Sequence, residues 1–201
     1  PNLKNFMKNY WRFFIKHPHS LLYGFIHSFF SSFGQTFFIG FYGAYIMHDF
    51  DISNTQYGSL YALATLLSSL SLSYFGEAMD KKHFKSMSIF IAIGLGLSAL
   101  GMSVIHSIYG LAVCLFLLRL FGQGLPNLHA STLMAKNFLT SRGKSLAIAG
   151  LGQPLGEALL PVILIQPMIL YYGWQKSWLI HAIFILLVFP SLILILGKNF
   201  K

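Results

Sequence analysis

Long apolar stretches alternate with short polar segments along the whole chain. Six of these stretches reach about 20 residues, the length at which a helix crosses the hydrocarbon core of a bilayer. The connecting segments are too short to let neighbouring helices run parallel, so adjacent spans are antiparallel. The chain is therefore predicted to be an all-α polytopic membrane protein, a bundle of six transmembrane helices. A basic segment at 1–20 precedes the bundle, which covers 21–197, and a short tail or the start of a loop follows at 198–201. The predicted spans are residues 21–47, 56–76, 86–107, 109–134, 145–171 and 177–197.

The composition also indicates that the lipid bilayer is the solvent of this protein. Of the 201 residues, 55% are hydrophobic and only 9% are charged, whereas soluble domains carry about 25% charged residues. The net charge of +9 does not indicate a nucleic-acid partner, because the basic residues lie in small clusters between apolar stretches and form no continuous face. Cys114 is the only cysteine, so an intrachain disulfide and a CxxC metal site are excluded, and the histidines lack zinc-site spacing. No cofactor is expected.

The positions of the basic residues predict an orientation. With the N-terminus inside, twelve of the 14 basic residues fall on inside segments, which the positive-inside rule favours. Lys176 lies on an outside segment and Arg119 within a span. Both termini are therefore predicted to be cytoplasmic, and the short ends are typical of a bacterial inner (plasma) membrane protein. The twelve are Lys4, Lys8, Arg12, Lys16, Lys81, Lys82, Lys85, Lys136, Arg142, Lys144, Lys198 and Lys201.

Two charged residues lie within predicted spans, where an ionisable group is costly and usually faces a cavity or a partner. Arg119 falls about 15 Å into the fourth span and Glu157 about 18 Å into the fifth, so both are near the midplane. Two interpretations stay open: a structural ion pair, or a substrate or proton site. Gln123 lies one turn from Arg119, and Gln35 lies within the first span; both are candidates for the same pathway.

Small residues within the spans predict close helix packing, because burial alone gives little driving force between helices in lipid. The candidates on the fourth and fifth spans are Gly122, Gly124, Gly152, Pro154 and Gly156.

Three motifs resemble those of the major facilitator superfamily. The segment FGEAMDKKHF, Phe75 to Phe84, carries two of the five acidic residues. It resembles the family's loop G-x-x-x-D-[RK]-x-G-[RK]-[RK] at Gly76, Asp80, Lys81 and Lys85, although His83 and Phe84 depart from it. The family's fourth-helix pattern R-x-x-x-G-x-G corresponds to RLFGQG from Arg119, with Gly122 one register earlier. The fifth-helix pattern of glycines with a proline is echoed by GLGQPLGE, which ends at Glu157.

The resemblance covers essentially the whole chain and implies the N-terminal six-helix half of a twelve-helix secondary transporter. Such a protein moves a small solute by alternating access, with the site between two halves near the midplane. The expected partners are the lipid bilayer, a small-molecule substrate, and either a missing C-terminal half or a second copy. Arg119 favours an organic anion, with proton coupling as the expected energy source. The resemblance also implies that Gly76, Asp80, Lys81 and Lys85 form a conformational latch between the halves.

Two other classes of function are compatible with six spans. One is a non-transporting six-helix protein, or a truncated inactive remnant. The other is an intramembrane protease of rhomboid-like size, with GLSA (Gly96 to Ala99) as nucleophile motif and His181 as base. GLSA lacks the final glycine of that motif, and no matched base or oxyanion donors can be placed beside it. The sequence therefore favours a transporter over an enzyme.

Overall fold

The computed structural model describes residues 3–81 and 83–199, and within these ranges the chain forms helices joined by short turns, with no strand. The helices are α1 (Leu3–Lys16), α2 (Pro18–Phe30), α3 (Thr36–Asp49), α4 (Asn54–Lys81), α5 (Phe84–Val104), α6 (Ile108–Leu118), α7 (Leu125–Asn137), α8 (Arg142–Gly150), α9 (Gly152–Leu160), α10 (Gln166–Tyr172) and α11 (Trp174–Leu196). Short 3-10 turns lie at Ser31–Gly34 and Gly197–Asn199, and π-helical segments lie at Arg119–Gly124 and Pro161–Ile165.

Among the described residues, four continuous helical stretches are long and apolar enough to cross a membrane. They match the third to sixth predicted spans, although the sixth helix begins earlier than expected, at Trp174. The helical stretches are Phe84–Val104, Ile108–Asn137, Arg142–Tyr172 and Trp174–Leu196. The described residues are therefore all-helical, as predicted, and four of their helical stretches have the length and composition of membrane spans.

The first predicted span, 21–47, is not one helix, and this corrects the sequence prediction. It consists of α2 and α3 separated by the turn Ser31–Gly34, and Gln35 adopts an extended conformation with φ −76° and ψ 156°. Serine and glycine are poor interior helix formers, because serine competes for backbone hydrogen bonds and glycine loses more entropy. The break was not predicted because it interrupts no apolar run.

The second predicted span lies within α4, which is 28 residues long and continues to Lys81. The charged segment that was predicted to be a loop is therefore largely the last turns of this helix. α5 begins at Phe84, so the connection that joins the two helices is very short.

Prolines explain the irregular segments of the fourth and fifth spans. A proline has no N–H to donate to the carbonyl four residues before it, and it loosens or bends the helix there. Pro126 comes two residues after the end of the π-helical segment Arg119–Gly124, and Pro154 follows the turn at Leu151 that separates α8 from α9. Arg119 lies in the first of these segments, the π-helical segment Arg119–Gly124, where the backbone is wider than in an α-helix.

Glycines let two helices approach the turn Ser31–Gly34 closely. A Cβ at Gly34 would overlap the carbonyl oxygen of Leu118 and the Cα of Gly122, and a Cβ at Gly156 would overlap Ser32. Hydrogen atoms in place of these side chains allow backbone-to-backbone contact, as is common between membrane helices. The fourth and fifth spans thus both pack closely on the break in the first.

Replacing Gly34 by alanine tests this contact. We expect Gly34→Ala to destabilise the protein by about 1–3 kcal/mol, since the added methyl meets backbone atoms that cannot move aside without shifting a helix. Gly40→Ala is the matched control on α3, because a Cβ at Gly40 would meet no atom within 4 Å. Thermal unfolding of the detergent-purified variants measures both, and equal melting temperatures for Gly34→Ala and Gly40→Ala would contradict the packing described.

Candidate functional site

Arg119 is the centre of the polar contacts in the middle of the bundle. It is 6% exposed and lies about 17 Å from the start of the stretch Ile108–Asn137 at 1.5 Å per residue. Its Nε donates to Thr65 Oγ1 at 3.1 Å, and its Nη1 donates to the carbonyl oxygen of Gly34 at 3.1 Å and to Thr36 Oγ1 at 3.4 Å. The guanidinium also lies 5.1 Å from the centre of the Tyr61 ring. These contacts join the fourth span to the first and second.

The break in the first span provides the acceptor for this arginine. Gly34 precedes the extended residue Gln35, and α3 begins only at Thr36, so the Gly34 carbonyl lies outside the regular hydrogen bonding of either helix. A carbonyl at a helix interruption needs another donor at membrane depth. The guanidinium satisfies it, and a charged donor makes a stronger hydrogen bond than a neutral one.

A cleft of about 340 Å³, with more apolar than polar surface, opens beside Arg119. Its walls come from α4 and from the π-helical segment with the start of α7. Hydroxyl and amide groups dominate its polar lining and offer both donors and acceptors. The lining comprises Thr65, Ser68, Ser69, Leu72, Arg119, Gln123, Gly124 and Asn127.

Glu157 lies on α9 at a similar depth, but its side chain is exposed. Among the described residues, no hydrogen bond or ion pair joins Glu157 to Arg119, whose partners are all uncharged. The neighbouring Gly156 contacts Ser32 and Gly122 contacts Gly34, so the helices that carry the two charges pack on the same turn. The structure therefore brings Arg119 and Gln123 together on one cleft, and Glu157 is not among the residues that line it.

Gln35 lies in the break itself. It is 6% exposed, and its carbonyl accepts from the backbone N–H of Ile39 at 3.1 Å. No side-chain hydrogen bond of Gln35 is among those described.

The predicted latch residues lie around the end of α4. A Cβ at Gly76 would meet no atom within 4 Å, so no close contact there requires glycine. Lys85 is half-buried in the first turn of α5. The side chains of Asp80 and Lys81 lie outside the described part of the chain, so the latch stays a prediction.

The other predicted packing residues differ in their surroundings. A Cβ at Gly152 would overlap the backbone of α2 at the Phe25 carbonyl, and one at Gly124 would lie 2.8 Å from Leu72 Cδ2. Pro154 is exposed and acts on the backbone of its own helix.

A buried cluster that was not recognised from the sequence joins three spans near the α1 end of the bundle. Ser88 Oγ lies 2.7 Å from Tyr23 Oη, 2.9 Å from His27 Nε2 and 2.7 Å from His129 Nε2. All four side chains are fully buried. His27, Ser88 and His129 are separated by 61 and 41 residues, so no local spacing could have revealed the cluster.

The hydrogen bonds determine which ring nitrogen carries the hydrogen in each of the two neutral imidazoles, His27 and His129. His27 Nδ1 lies 2.7 Å from the carbonyl oxygen of Tyr23, which can only accept, so Nδ1 carries the hydrogen and Nε2 accepts from the Ser88 hydroxyl. That hydroxyl has then used its single hydrogen, and His129 must donate to it from Nε2. His129 Nδ1 is left with a bare lone pair and has no partner among the described residues.

A second buried cluster lies in the other half of the bundle, between α3 and α11. Tyr42 Oη lies 2.8 Å from Ser177 Oγ and 2.7 Å from His181 Nε2. His181 was considered as a catalytic base on the sequence, but its Nε2 contacts only these hydroxyls and its Nδ1 has no partner in the described structure. The cluster ties the first span to the sixth.

Asp49 ends the first span at the end of the bundle opposite α1. The Trp174 indole N–H donates to its carboxylate at 2.6 Å, and His48 Nδ1 lies 3.2 Å away. The indole hydrogen bond, then the one from His48, lowers the pKa of Asp49 below its ordinary value of 3.8. The contact holds the end of α3 against the start of α11.

Ser88→Ala tests the buried cluster. We expect destabilisation, because two imidazole nitrogens lose their partner, at about 1–3 kcal/mol for each buried group left unpaired. Ser103→Ala on the same helix is the control, since the Ser103 hydroxyl bonds only a carbonyl of its own helix. The melting temperatures of the purified variants report the difference, and an unchanged melting temperature for Ser88→Ala would show that the three spans are not joined there.

The link between Asp49 and Trp174 predicts a pH dependence. Because the pKa of Asp49 is lowered in the folded protein, its contribution to stability is complete above about 3.8 and is lost as the pH falls through the folded-state value. We therefore expect wild type to melt higher than Trp174→Phe at neutral pH, with a difference that shrinks below pH 3.8. Melting curves of both proteins between neutral pH and pH 3 measure this, and a difference independent of pH would contradict the assignment.

The comparisons with known proteins bear on the whole helical bundle. No curated protein and no solved structure matches the chain. The family model described as Major Facilitator Superfamily matches residues 24–199, from α2 to the end of the turn after α11. This match confirms the resemblance seen in the loop and helix motifs. The chain therefore belongs to the major facilitator superfamily, whose members are membrane transporters rather than enzymes.

Proposed function

We propose that the chain is one six-helix half of a secondary active transporter that moves a small organic anion by alternating access. The observation that carries the proposal is a buried guanidinium without a carboxylate partner. Arg119 lies near the middle of its span, is 6% exposed, and contacts only neutral groups among the described residues.

The charge of Arg119 favours an anionic substrate. A buried charge that is hydrogen-bonded but not neutralised keeps much of its desolvation cost. An anion that enters the adjoining cleft would lower this cost, whereas a cation would raise it. The size of the cleft, about 340 Å³, is near the lower end of the range of small-molecule sites, and a small solute fits it.

The polar lining supports a substrate with a carboxylate or hydroxyl group. Ser68 and Gln123 offer donors on the walls of the cleft, next to the cation, whereas the Ser69 hydroxyl donates to the Leu66 carbonyl oxygen at 2.7 Å and can only accept there. Such groups fix the orientation of a ligand while the charge supplies attraction.

Glu157 supports proton coupling. Its carboxyl group lies exposed near the middle of the fifth span, and its helix packs on the same turn as that of Arg119. A carboxyl group at this depth that binds a proton as the anion binds would keep the net charge of the loaded state low. Gln35, in the break between the two, is a further proposed part of the pathway.

We also propose that two further spans, 21–47 in α2 and α3 and 56–76 in α4, complete a six-helix unit that pairs with a second one. Transporters of this architecture bind substrate between two halves. The second unit is either another segment of the same protein or a second copy of this chain. The distribution of basic residues supports cytoplasmic termini in a bacterial inner membrane, with Gly76, Asp80, Lys81 and Lys85 as the latch.

Anion binding is the first test. We expect acetate, lactate, succinate or inorganic phosphate to raise the melting temperature of the detergent-purified protein, and Arg119→Gln to abolish the effect. Arg119→Lys keeps the charge and should retain part of it, while Lys176→Gln is the control for a change of net charge at an exposed site. Because Arg119→Gln also removes the bond to Gly34, Gln123→Ala tests the cleft without touching that bond. Stabilisation that is equal in wild type and Arg119→Gln would exclude the site.

Transport is the second test, made in proteoliposomes with the anion that stabilises the protein. An inward proton gradient should accelerate uptake by wild type, and Glu157→Gln should remove that acceleration while anion binding is kept. Uptake that is insensitive to the gradient in both proteins would contradict proton coupling. Binding without any uptake would favour the alternative of a non-transporting six-helix protein.

A further inference from the structure

The first helix is strongly amphipathic. Basic residues recur every four positions, and in an α-helix four residues advance by only about 40°, so they form a single stripe. No acidic residue precedes Asp49 to neutralise that stripe. Its members are Lys4, Lys8, Arg12 and Lys16.

An apolar and aromatic face of α1 flanks the basic stripe, and part of it is not covered by the protein. Met7 is 63% exposed and Trp11 is 65% exposed. A helix with a basic face and an exposed face rich in aromatic side chains is typical of one that lies in the interface of a membrane.

Among the described residues, ring contacts join the end of α1 to the bundle. The Phe13 ring packs edge-on against Phe138 with centroids 5.3 Å apart, and the His17 ring does the same at 5.2 Å. The preceding turns of α1 and the start of α2 border an apolar groove of about 810 Å³. Its walls include Met7, Trp11 and Phe14 on α1, Leu22 and Phe25 on α2, and Leu151.

We propose that this groove binds one anionic phospholipid of the surrounding leaflet. The groove is large enough and apolar enough to hold an acyl chain. Lys8 lies on its wall. Arg12 follows one turn further along the same stripe and is exposed. The head group meets these two cations, so the site selects lipids by charge. The site depends only on the chain lying in a membrane and not on any transport activity.

Binding of two lipids by the purified protein tests the site. Native mass spectrometry after titration with palmitoyl-oleoyl phosphatidylglycerol and with the phosphatidylcholine of the same chains gives both affinities and the oligomeric state. Each basic residue near an anionic surface contributes about fivefold, so two give a preference of roughly 30-fold for phosphatidylglycerol. Lys8→Gln/Arg12→Gln should lose this preference while its affinity for phosphatidylcholine is unchanged.

Two further variants separate charge from shape. Lys176→Gln/Lys198→Gln removes the same charge from exposed positions outside the groove and should keep the wild-type preference. Leu22→Trp fills the groove and should weaken both lipids. The proposal would be overturned by equal wild-type affinities for the two lipids. It would also be overturned if the control lost the preference as fully as Lys8→Gln/Arg12→Gln, or if Leu22→Trp left lipid binding unaffected. A dimer that excludes lipid would overturn it too, by assigning the groove to a second copy of the chain.

Discussion

The hydrogen bond from Arg119 to the Gly34 carbonyl is the constraint on which the centre of the molecule depends. A carbonyl released by a helix break inside a bilayer has no water to bond, so a donor must come from a neighbouring helix. The donor arrives on a π-helical segment that touches the break, and it can do so only because Gly34 and Gly122 have no side chains. The position of the positive charge, the depth of the cleft and the register between the first and fourth spans all follow from this contact.

The first span is the element that each polar cluster shares. Tyr23 and His27 join the first span to the third and fourth spans, and Gly34 joins it to Arg119 of the fourth. Tyr42 joins it to the sixth span, and Asp49 joins it to Trp174 at the start of α11. Between these points the contacts are aromatic, as where the Phe30 and Phe189 rings stack with centroids 4.2 Å apart. In a membrane, where apolar burial distinguishes poorly between alternative arrangements, such spaced polar contacts fix the rotation and register of the helices.

The sequence predicted those parts of the fold that depend on hydropathy and on local motifs. The last four spans and the family follow from apolar length, from RLFGQG and from the loop around Asp80. The break at Ser31–Gly34 was missed because small residues do not interrupt an apolar run. The cluster of His27, Ser88 and His129 was missed because its members meet only after three helices have packed. Whether Arg119 and Glu157 pair was left open, since equal depth on two helices does not determine which way either side chain points.

The central claim is that Arg119 is held at mid-bundle as an unneutralised cation for an anion in the adjoining cleft. A crystal structure of the protein soaked in 4-bromobenzoate, whose aryl bromide does not alkylate side chains, measured at the bromine absorption edge, tests it most directly. The account predicts anomalous density in the cleft bounded by Ser69 and Gln123, with the carboxylate in hydrogen-bond distance of the Arg119 guanidinium. A cleft without density, with a protein carboxylate paired to Arg119 instead, would contradict it and make the arginine a structural group.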